Sequence, residues 1–367
     1  MGIKPGKALK VILAAALMAV FGFGCSNTST SVSSDTDIDS QSLATPVDSE
    51  ADQDQVEPAV DEAVRAYYAP PLPVTSDDPM AICNLFPDPN FAYWVAKTFE
   101  RNMDDPITFE ELSGYTGQLD LGIGRYTYNN GNSYRFKDLT GIGYFTGATG
   151  LDFCKNDIAE IPGEIGNCIN LREIRVSKAY HLITISPEIG CLVNLETFSA
   201  GLTSIEYLPD EICELYNLKT LIIAATHLRE IPEDIGNLYN LEYLDVHSTE
   251  IDHLPESICN LRKLVRLDIS HNPRITALPY QIGNLTSLEY FNLFNCDVRY
   301  LPRSMQNMVN LRYLNVYDNY NLDEEYKDWL PSGVNLMGSR RHQRLPEAES
   351  ANRPGFLSPI HRTRKRG

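Results

Sequence analysis

The chain has 367 residues, a formal net charge of −18 and a sequence pI of about 4.8, and 43% of its residues are hydrophobic. This length is sufficient for a large core. The acidic balance argues against nucleic acid as a partner, because binding to phosphates requires the opposite charge.

The first 25 residues have the pattern of an export signal. Three lysines give a basic start, and residues 11–24 form a 14-residue run without a charge. Such a run is short for a bilayer span but suits the apolar region of a secretory signal. It ends in a Gly-Cys pair at Cys25 that resembles a bacterial lipoprotein cleavage box, except that Gly22 stands where an aliphatic residue is usual. This interpretation predicts lipidation of Cys25; ordinary cleavage nearby and an uncleaved anchor are the alternatives.

Residues 26–79 are predicted to form a disordered acidic tether. The segment is rich in Ser, Thr, Asp, Ala and Pro, and residues 26–62 carry ten acids and no base. A segment of this composition cannot bury enough apolar surface to offset its ordering entropy. Repulsion between the carboxylates should keep the tether extended, which would lift a folded domain away from a membrane.

Residues 80–147 are predicted to form an N-terminal cap that covers the exposed end of a repeat domain. Its first helix should begin after Asp88, a good N-cap, with Pro89 at the first helical position. Four apolar side chains then share one face of that helix, as in an amphipathic helix. They are Phe91, Trp94, Val95 and Phe99.

Two further features are predicted within this cap. Thr108 and Glu111 have the spacing of a capping box and signal a second helix. Residues 118–123 alternate apolar and polar side chains, as a strand does, and an Asn-Gly pair inside residues 126–134 predicts a small hairpin.

Residues 148–322 are predicted to form eight repeats of 23 or 24 residues. A period in the twenties, with apolar residues at the first, fourth and sixth positions, is the leucine-rich-repeat signature. It predicts an α/β solenoid with a curved parallel sheet on its concave face and irregular, 3-10 or short helical return segments. The first positions are Ala148, Leu171, Leu195, Leu218, Leu241, Leu264, Leu288 and Leu311.

Strand alternation decides which repeat positions face the core. The fourth and sixth positions should point inward, so the third, fifth and seventh should point outward onto the concave sheet. The ninth position usually holds an Asn that satisfies backbone groups at the bend out of the strand. In this chain the ninth position is Asn, Thr or Cys, except in the second repeat, where it is Ala179, which offers no polar group.

The outward positions of the last four repeats are the candidate binding site. Earlier repeats present small or singly charged groups there, whereas the later ones gather aromatic side chains, Arg and His beside two aspartates. Aromatics and Arg are the residues that protein-binding hot spots and sugar-stacking platforms use, although exposed aromatics also suit strand propensity alone. The candidate contacts are Tyr243, Asp245, His247, Arg266, Asp268, Tyr290, Phe294, Tyr313 and Tyr317.

The chain after the repeats is predicted in two parts. Residues 323–337 should form a C-terminal cap with a short helix that Asp323 caps and Pro331 stops. Residues 338–367 have the composition of a disordered tail and carry eight bases and two acids. No aromatic residues are interleaved with the terminal basic cluster, so a solvated tail is the simplest interpretation.

The resemblance to a known family rests on the segments FPDPNFAYWVAKTF, DDPITFEEL, QLDLGIG and FKDLTGIGYFTGATGLDFCKNDI. They resemble the cap and first repeat of internalin-like bacterial leucine-rich-repeat proteins, and the resemblance extends over residues 84–330. An insertion at residues 126–134 departs from that pattern, and the later LPxxIxNL segments are more similar to Ras-scaffold and plant repeats. The family implies adhesion or recognition of a macromolecule.

No pattern of catalysis or cofactor binding is visible in the sequence. There is no phosphate loop, dinucleotide fingerprint, HExxH or GxSxG motif. Cys154 is predicted on the concave face beside Lys155, but no partner base for a nucleophile is evident. A bridge between Cys168 and Cys191 is conceivable from their neighbouring repeats, and we expect most cysteines to be small buried residues. We expect no cofactor and no metal.

Together these features predict a non-enzymatic extracellular recognition module, an adhesion-type surface lipoprotein of a bacterial membrane. The expected partners are a protein or glycan on the concave face and the membrane through Cys25. We expect no nucleic acid partner and a monomer. The alternative is a secreted effector or scaffold that binds a host or cell-envelope partner without a lipid anchor.

Overall fold

The computed structural model describes residues 76–122 and 135–338. The export signal, most of the tether, the hairpin and the basic tail were predicted on residues outside these ranges. Within the described ranges, no helix is both long and apolar enough to cross a bilayer.

Ten short parallel strands form one sheet, in which each strand pairs with the strand of the next repeat. The order is β1-β2-β4-β6-β7-β8-β9-β10-β11-β12. The strands are β1 (Gln118–Asp120), β2 (Gly150–Asp152), β4 (Glu173–Arg175), β6 (Thr197–Ser199), β7 (Thr220–Ile222), β8 (Tyr243–Asp245), β9 (Arg266–Asp268), β10 (Tyr290–Asn292), β11 (Tyr313–Asn315) and β12 (Asn335–Met337). A second, two-stranded sheet pairs β3 (Glu160–Ile161) with β5 (Thr184–Ile185) on the return side. This is the predicted leucine-rich-repeat solenoid.

The return segments of the first seven repeats each contain one short 3-10 helix, as predicted, and two further 3-10 helices lie just before the first repeat and just after residue 322. Their apolar side chains and those of the strands form a single continuous core. The 3-10 helices are Ile142–Tyr144, Gly163–Asn167, Pro187–Cys191, Asp210–Glu214, Ile235–Asn237, Glu256–Asn260, Ile282–Asn284, Arg303–Asn307 and Glu324–Asp328.

The fourth and sixth positions of the repeats are buried, which confirms the predicted alternation. Leu244, Leu267 and Leu314 are fully buried, and Val246 is 1% exposed. Because a fully buried aliphatic side chain contributes about 1.5–3 kcal/mol, the repeated burial of this pair stabilises every strand of the repeat domain.

The ninth position carries hydrogen bonds into the backbone wherever its side chain is polar. The Asn272 amide donates to the carbonyl oxygens of Val246 and Ile269, each at 2.9 Å, and its Oδ1 accepts from the Thr249 amide at 2.9 Å. Thr226 supplies a single bond, from Oγ1 to the Ile223 carbonyl at 2.9 Å. The prediction that Thr replaces only part of the Asn function is confirmed.

The eighth position of every repeat has a left-handed backbone, although none of these residues is glycine. The turn lets the eighth amide continue the ladder, as when the Leu202 amide donates to the Ala224 carbonyl at 2.8 Å, and it directs the ninth side chain inward. Non-glycine residues adopt this conformation at a cost of about 1–2 kcal/mol. The residues, with φ between 53° and 65°, are Lys155, Lys178, Leu202, Ala225, Ser248, His271, Asn295 and Asp318.

The segment before the first repeat contains three α-helices, α1 (Ile82–Leu85), α2 (Pro89–Thr98) and α3 (Phe109–Ser113). Asp88 caps α2 by accepting from the amides of Asn90 and Phe91 at 2.8 and 3.1 Å. Its second oxygen accepts from the Lys137 amide at 2.7 Å, so the same carboxylate ties α2 to the chain that enters the first repeat.

The other element predictions in this segment also hold. Thr108 and Glu111 form the capping box at the start of α3. The strand predicted at residues 118–123 is β1, and it pairs in parallel with β2. Aromatic rings of α2 pack against the segment just before the first repeat, since Phe91 stacks on Phe145 with ring centroids 6.2 Å apart.

The chain after the last repeat begins with the predicted short helix, which has 3-10 geometry and spans Glu324–Asp328. The Asp323 side chain caps it by accepting from the Glu325 amide at 3.0 Å. The strand β12 follows inside the segment predicted as the C-terminal cap and was not expected from the sequence. It extends the sheet by one strand beyond the eighth repeat.

Candidate binding surface on the concave face

The strand register places the outward side chains in straight columns along the sheet. Tyr243 lies opposite Arg266, Arg266 opposite Tyr290, and Tyr290 opposite Tyr313. Adjacent parallel strands are about 4.8 Å apart, so side chains of one column touch. We call the outward side of the sheet in β8 to β11, together with the seventh-position residues just after these strands, the aromatic patch; the nine candidate contacts lie in this part of the chain.

The third-position column is one continuous stack of rings and a guanidinium. The Cζ atom of Arg266 lies over the Tyr243 ring at 5.3 Å and over the Tyr290 ring at 4.8 Å. Tyr290 stacks on Tyr313 with centroids 4.7 Å apart and ring planes 2° from parallel. Cation–π contacts and ring stacking each contribute about 0.5–1.5 kcal/mol, so these side chains are held before any partner arrives.

Burial changes the acid–base behaviour of the tyrosines in this stack. It raises the pKa of Tyr290 to about 12, with Asp268 adding to the shift. The pKa of Tyr313 is also raised by burial. Both hydroxyls therefore stay protonated at physiological pH. The Tyr313 hydroxyl already donates to Met337 Sδ at 3.0 Å, so the hydroxyl of Tyr290 is the one that can donate a hydrogen bond to a partner.

Asp245 lies in the fifth-position column but is only 7% exposed. The prediction of an outward contact is corrected in this respect. Its Oδ2 accepts from the Tyr243 hydroxyl at 2.9 Å, and its Oδ1 lies 2.7 Å from His247 Nδ1. Two neighbouring patch residues thus cover the carboxylate, which acts by holding Tyr243 and His247 in place.

Hydrogen bonds within the pair of Asp245 and His247 favour the charged form of each side chain. Burial by itself would raise the pKa of Asp245, but the hydrogen bonds from His247 and Tyr243 outweigh it and lower that pKa. The hydrogen bond to Asp245 raises the pKa of His247 against the opposing effect of burial. The imidazolium–carboxylate pair is thereby favoured over the neutral pair.

Asp268, the second acid of the patch, is also occupied by neighbouring donors. Its Oδ1 accepts from the Ser270 hydroxyl at 2.6 Å, and its Oδ2 accepts from Asn292 Nδ2 at 2.9 Å. Asp245, His247 and Asp268 each offer a ligand atom within 4.8 Å of the others, a grouping that a metal ion could use. Each carboxylate already accepts three hydrogen bonds from protein donors, which occupy most of its acceptor sites.

The seventh-position column adds a second aromatic group. Phe294 and Tyr317 have ring centroids 5.8 Å apart, and Tyr317 is 38% exposed. His271 packs edge-on against Phe294 at 4.7 Å. His271 was not among the predicted contacts, because it occupies the eighth position, whose left-handed turn the sequence pattern did not reveal.

The same columns in the first four repeats have different chemistry. The third position there is Gly150, Glu173, Thr197 and Thr220. Cys154, in the seventh position, has its pKa raised to about 12, chiefly by burial and by Asp152. A thiol with this pKa is not an activated nucleophile at neutral pH. Cys168 is a free buried thiol, so the conceivable bridge to the neighbouring repeat is not formed.

A family model matches part of the chain and supports the repeat assignment. Residues 210–340 match the model described as "Leucine-rich repeat region". Leucine-rich-repeat domains generally mediate protein binding. No curated protein matches the sequence.

Solved structures similar to this chain include bacterial and plant proteins. A leucine-rich-repeat protein of Leptospira interrogans is 23% identical over 53% of this chain and 62% of its own, with a TM-score of 0.38. An internalin C2 of Listeria monocytogenes is 19% identical over 72% of this chain and 97% of its own, with a TM-score of 0.47. The ectodomain of an Arabidopsis thaliana receptor kinase, in complex with CASPARIAN STRIP INTEGRITY FACTOR 2, is 20% identical over 61% of this chain and 32% of its own, with a TM-score of 0.40. This chain spans less than two thirds of the Leptospira protein, and the three likenesses assign no role to any residue.

Proposed function

We propose that this protein is a non-enzymatic recognition module that binds a protein partner on the aromatic patch. The stack of Tyr243, Arg266, Tyr290 and Tyr313 is the observation that carries this proposal. Tyr and Arg are the residues most enriched at binding hot spots. Rings and a guanidinium that are already packed against one another lose little conformational freedom on binding, which favours affinity.

The regional distribution of the aromatics supports this function over a purely structural role. Strand propensity would favour aromatic residues along the whole sheet, yet the third column changes from Thr220 to Tyr243 at the middle of the domain. The pattern therefore follows position along the surface rather than the needs of a strand.

A protein partner fits the geometry of the stack better than a glycan. Sugars bind aromatic residues through an open ring face, but Tyr290 has Arg266 over one face and Tyr313 stacked on the other. The stack offers mainly ring edges, the Tyr290 hydroxyl and the guanidinium edge, which suit the hydrogen-bonding groups and side chains of a polypeptide.

The test is partner capture by the full chain and by the double variant Tyr290→Ala/Tyr313→Ala. We expect capture from surface extracts to fall at least about tenfold, since hot-spot truncations cost about 2 kcal/mol or more, while circular dichroism at the assay temperature should show that the double variant is folded. The matched control is Thr197→Ala/Thr220→Ala, at the same column in earlier repeats, which should capture normally. Equal capture by the two double variants would remove the aromatic patch from the proposed function, and retention on a glycan array but not by proteins would reassign the partner.

We further propose that the chain is exported and anchored to a bacterial membrane through Cys25, where the module would act in adhesion-type recognition. The basic start, the 14-residue uncharged run and the Gly-Cys pair support this proposal. Mass spectrometry of the mature N-terminus should find Cys25 carrying two or three acyl chains, and Cys25→Ala should abolish the modification. An unacylated N-terminus at another position would instead favour the secreted effector or scaffold.

A further inference from the structure

Arg266 differs from most described arginines because no carboxylate lies within ion-pair distance of it. Within residues 76–122 and 135–338, seven arginines have a carboxylate oxygen within 4.0 Å. They are Arg101, Arg135, Arg172, Arg175, Arg229, Arg274 and Arg312. Arg266 has none, although Asp268 lies only two residues away on the same strand.

The two nearby acids do not pair with Arg266 because other donors already occupy them. Asp245 accepts from Tyr243 and from His247, and Asp268 accepts from Ser270 and from Asn292. The positive charge of Arg266 is therefore left without a hydrogen-bonded counter-charge among the described residues.

The two flanking rings fix how Arg266 can meet a ligand. Tyr243 and Tyr290 lie against it from opposite sides along the column. A guanidinium between two rings presents its edge, where its N–H donors lie, rather than its faces. Such an edge matches the two oxygens of a carboxylate in a bidentate arrangement. The Arg266 side chain is exposed, so this edge is accessible from the concave side.

We propose that Arg266 is the anchor for an acidic side chain, Asp or Glu, of the partner protein. This inference rests on the proposed function and names the chemistry that the aromatic patch recognises. The stack continues on both sides of Arg266, toward Tyr243 in one direction and Tyr290 and Tyr313 in the other. A polypeptide crossing this surface would have contacts before and after the anchored residue, which favours an internal side chain over a terminal carboxylate.

The side-chain N–H resonances of arginine provide a direct test in the full chain. Protein labelled with ¹⁵N-arginine is titrated with N-acetyl-aspartate N-methylamide, whose only carboxylate is a side chain, and the Nε–Hε signals are recorded. The Arg266 signal, assigned as the one lost in Arg266→Lys, should shift saturably. The uncharged N-acetyl-asparagine N-methylamide should leave the signal in place.

A substitution of Arg266 and a control substitution test whether carboxylate affinity depends on the shape of the guanidinium rather than on its charge alone. Arg266→Lys keeps the positive charge but loses the donor fork, so carboxylate affinity measured by calorimetry should fall about threefold or more. The control Arg262→Lys changes an exposed arginine outside the strands and should leave the affinity unchanged.

Three outcomes would overturn the proposal. They are an Arg266 signal that moves no more than that of Arg262, an equal response to the asparagine analogue, and tighter binding of inorganic phosphate or of N-acetylglycine, whose carboxylate is terminal. None of these results bears on partner capture by Tyr290→Ala/Tyr313→Ala. Failure of the carboxylate anchor is therefore distinguishable from failure of the aromatic patch as a whole.

Discussion

The first four repeats and the last four share one core but present different surfaces. Phe198 in the third repeat and Phe291 in the seventh occupy the same fourth position, and both are fully buried. On the concave side of the same strands, Thr197 corresponds to Tyr290. Packing therefore constrains the inward positions in both halves, while the outward columns of the concave face differ between them.

The largest expected effect tests whether the core is packed equally well in the two halves. Phe198→Ala and Phe291→Ala should each lower the free energy of unfolding by about 3–5 kcal/mol, because each leaves a cavity at a fully buried site. Urea denaturation followed by circular dichroism measures both, with Tyr280→Ala, at a 76% exposed site, as the neutral control. A loss for Phe291→Ala much smaller than for Phe198→Ala would show that the later repeats are packed more loosely.

The second prediction concerns the ninth position, where Asn272 makes more hydrogen bonds than Thr226 does. Asn272→Ala should cost about 2–3 kcal/mol, since it removes the bonds from the Asn272 amide to the Val246 and Ile269 carbonyls and leaves the Thr249 amide without its acceptor. Thr226→Ala removes one bond and should cost about 1 kcal/mol. Equal losses in urea denaturation would mean that the asparagine network adds nothing beyond a single hydroxyl.

The third prediction uses the left-handed eighth position. His271, Asn295 and Asp318 in the late repeats are of the types that tolerate this conformation, whereas Leu202 in the third repeat is not. Leu202→Asn should therefore raise the free energy of unfolding by about 0.5–1 kcal/mol. Leu202→Ala keeps the backbone penalty while removing the side chain, so it should give no gain; stabilisation by both variants would exclude backbone strain as the cause.

The smallest effect is a pH dependence confined to the later half. The raised pKa of His247 stabilises the fold below the ordinary pKa of histidine, and this stabilisation is lost as pH rises through the raised value. The lowered pKa of Asp245 adds stability that is lost only as pH falls through that lowered value. The charged groups near His247 are Asp245, Asp268 and His271, and Asp245 dominates.

His247→Gln should thus lower Tm at pH 5.5 by about 1–2 °C, a small effect because the pair is partly solvated. The difference from the parent protein should narrow by pH 8.5. The control His253→Gln removes an imidazole whose pKa is also raised by an aspartate but whose pair is exposed, and it should change Tm less. A His247→Gln effect that grows with pH would contradict the assigned sign.

The repeat register was predictable because apolar spacing and strand alternation are both local rules. The strand β12 escaped prediction because its repeat is one residue short and lacks the apolar signature. Aligned with Leu311, the first position is Gly333, and aligned with Val316, the sixth is Gly338. An added Cβ at Gly338 would come within 2.4 Å of the Tyr317 backbone, so close packing there excludes the apolar residue that marks other repeats.

The sequence predicted which side chains of the candidate site lie in the same column, but it did not predict which of them contact one another. Register fixes where each Cα atom lies, whereas rotamers decide which groups meet. Nothing in the spacing indicates that the Tyr243 hydroxyl turns to Asp245, or that Arg266 avoids Asp268. These outcomes depend on competition among donors on neighbouring strands, which requires the assembled sheet.

The in-register pairing of β8 to β11 spaces the third-position side chains evenly along the sheet. The number of repeats therefore sets the length of this column, and gain or loss of a repeat during evolution would change it. Duplication of the 23-residue unit from Leu241 to Lys263 would lengthen the column by one strand spacing, about 4.8 Å, without disturbing its neighbours, because each unit contacts only the units beside it. Unequal recombination between repeats would accordingly change, in steps of one strand spacing, the distance from the Arg266 guanidinium to the tyrosine at the Tyr243 end of the column. Relatives of different length could thereby discriminate among ligands by the spacing of their anchoring groups.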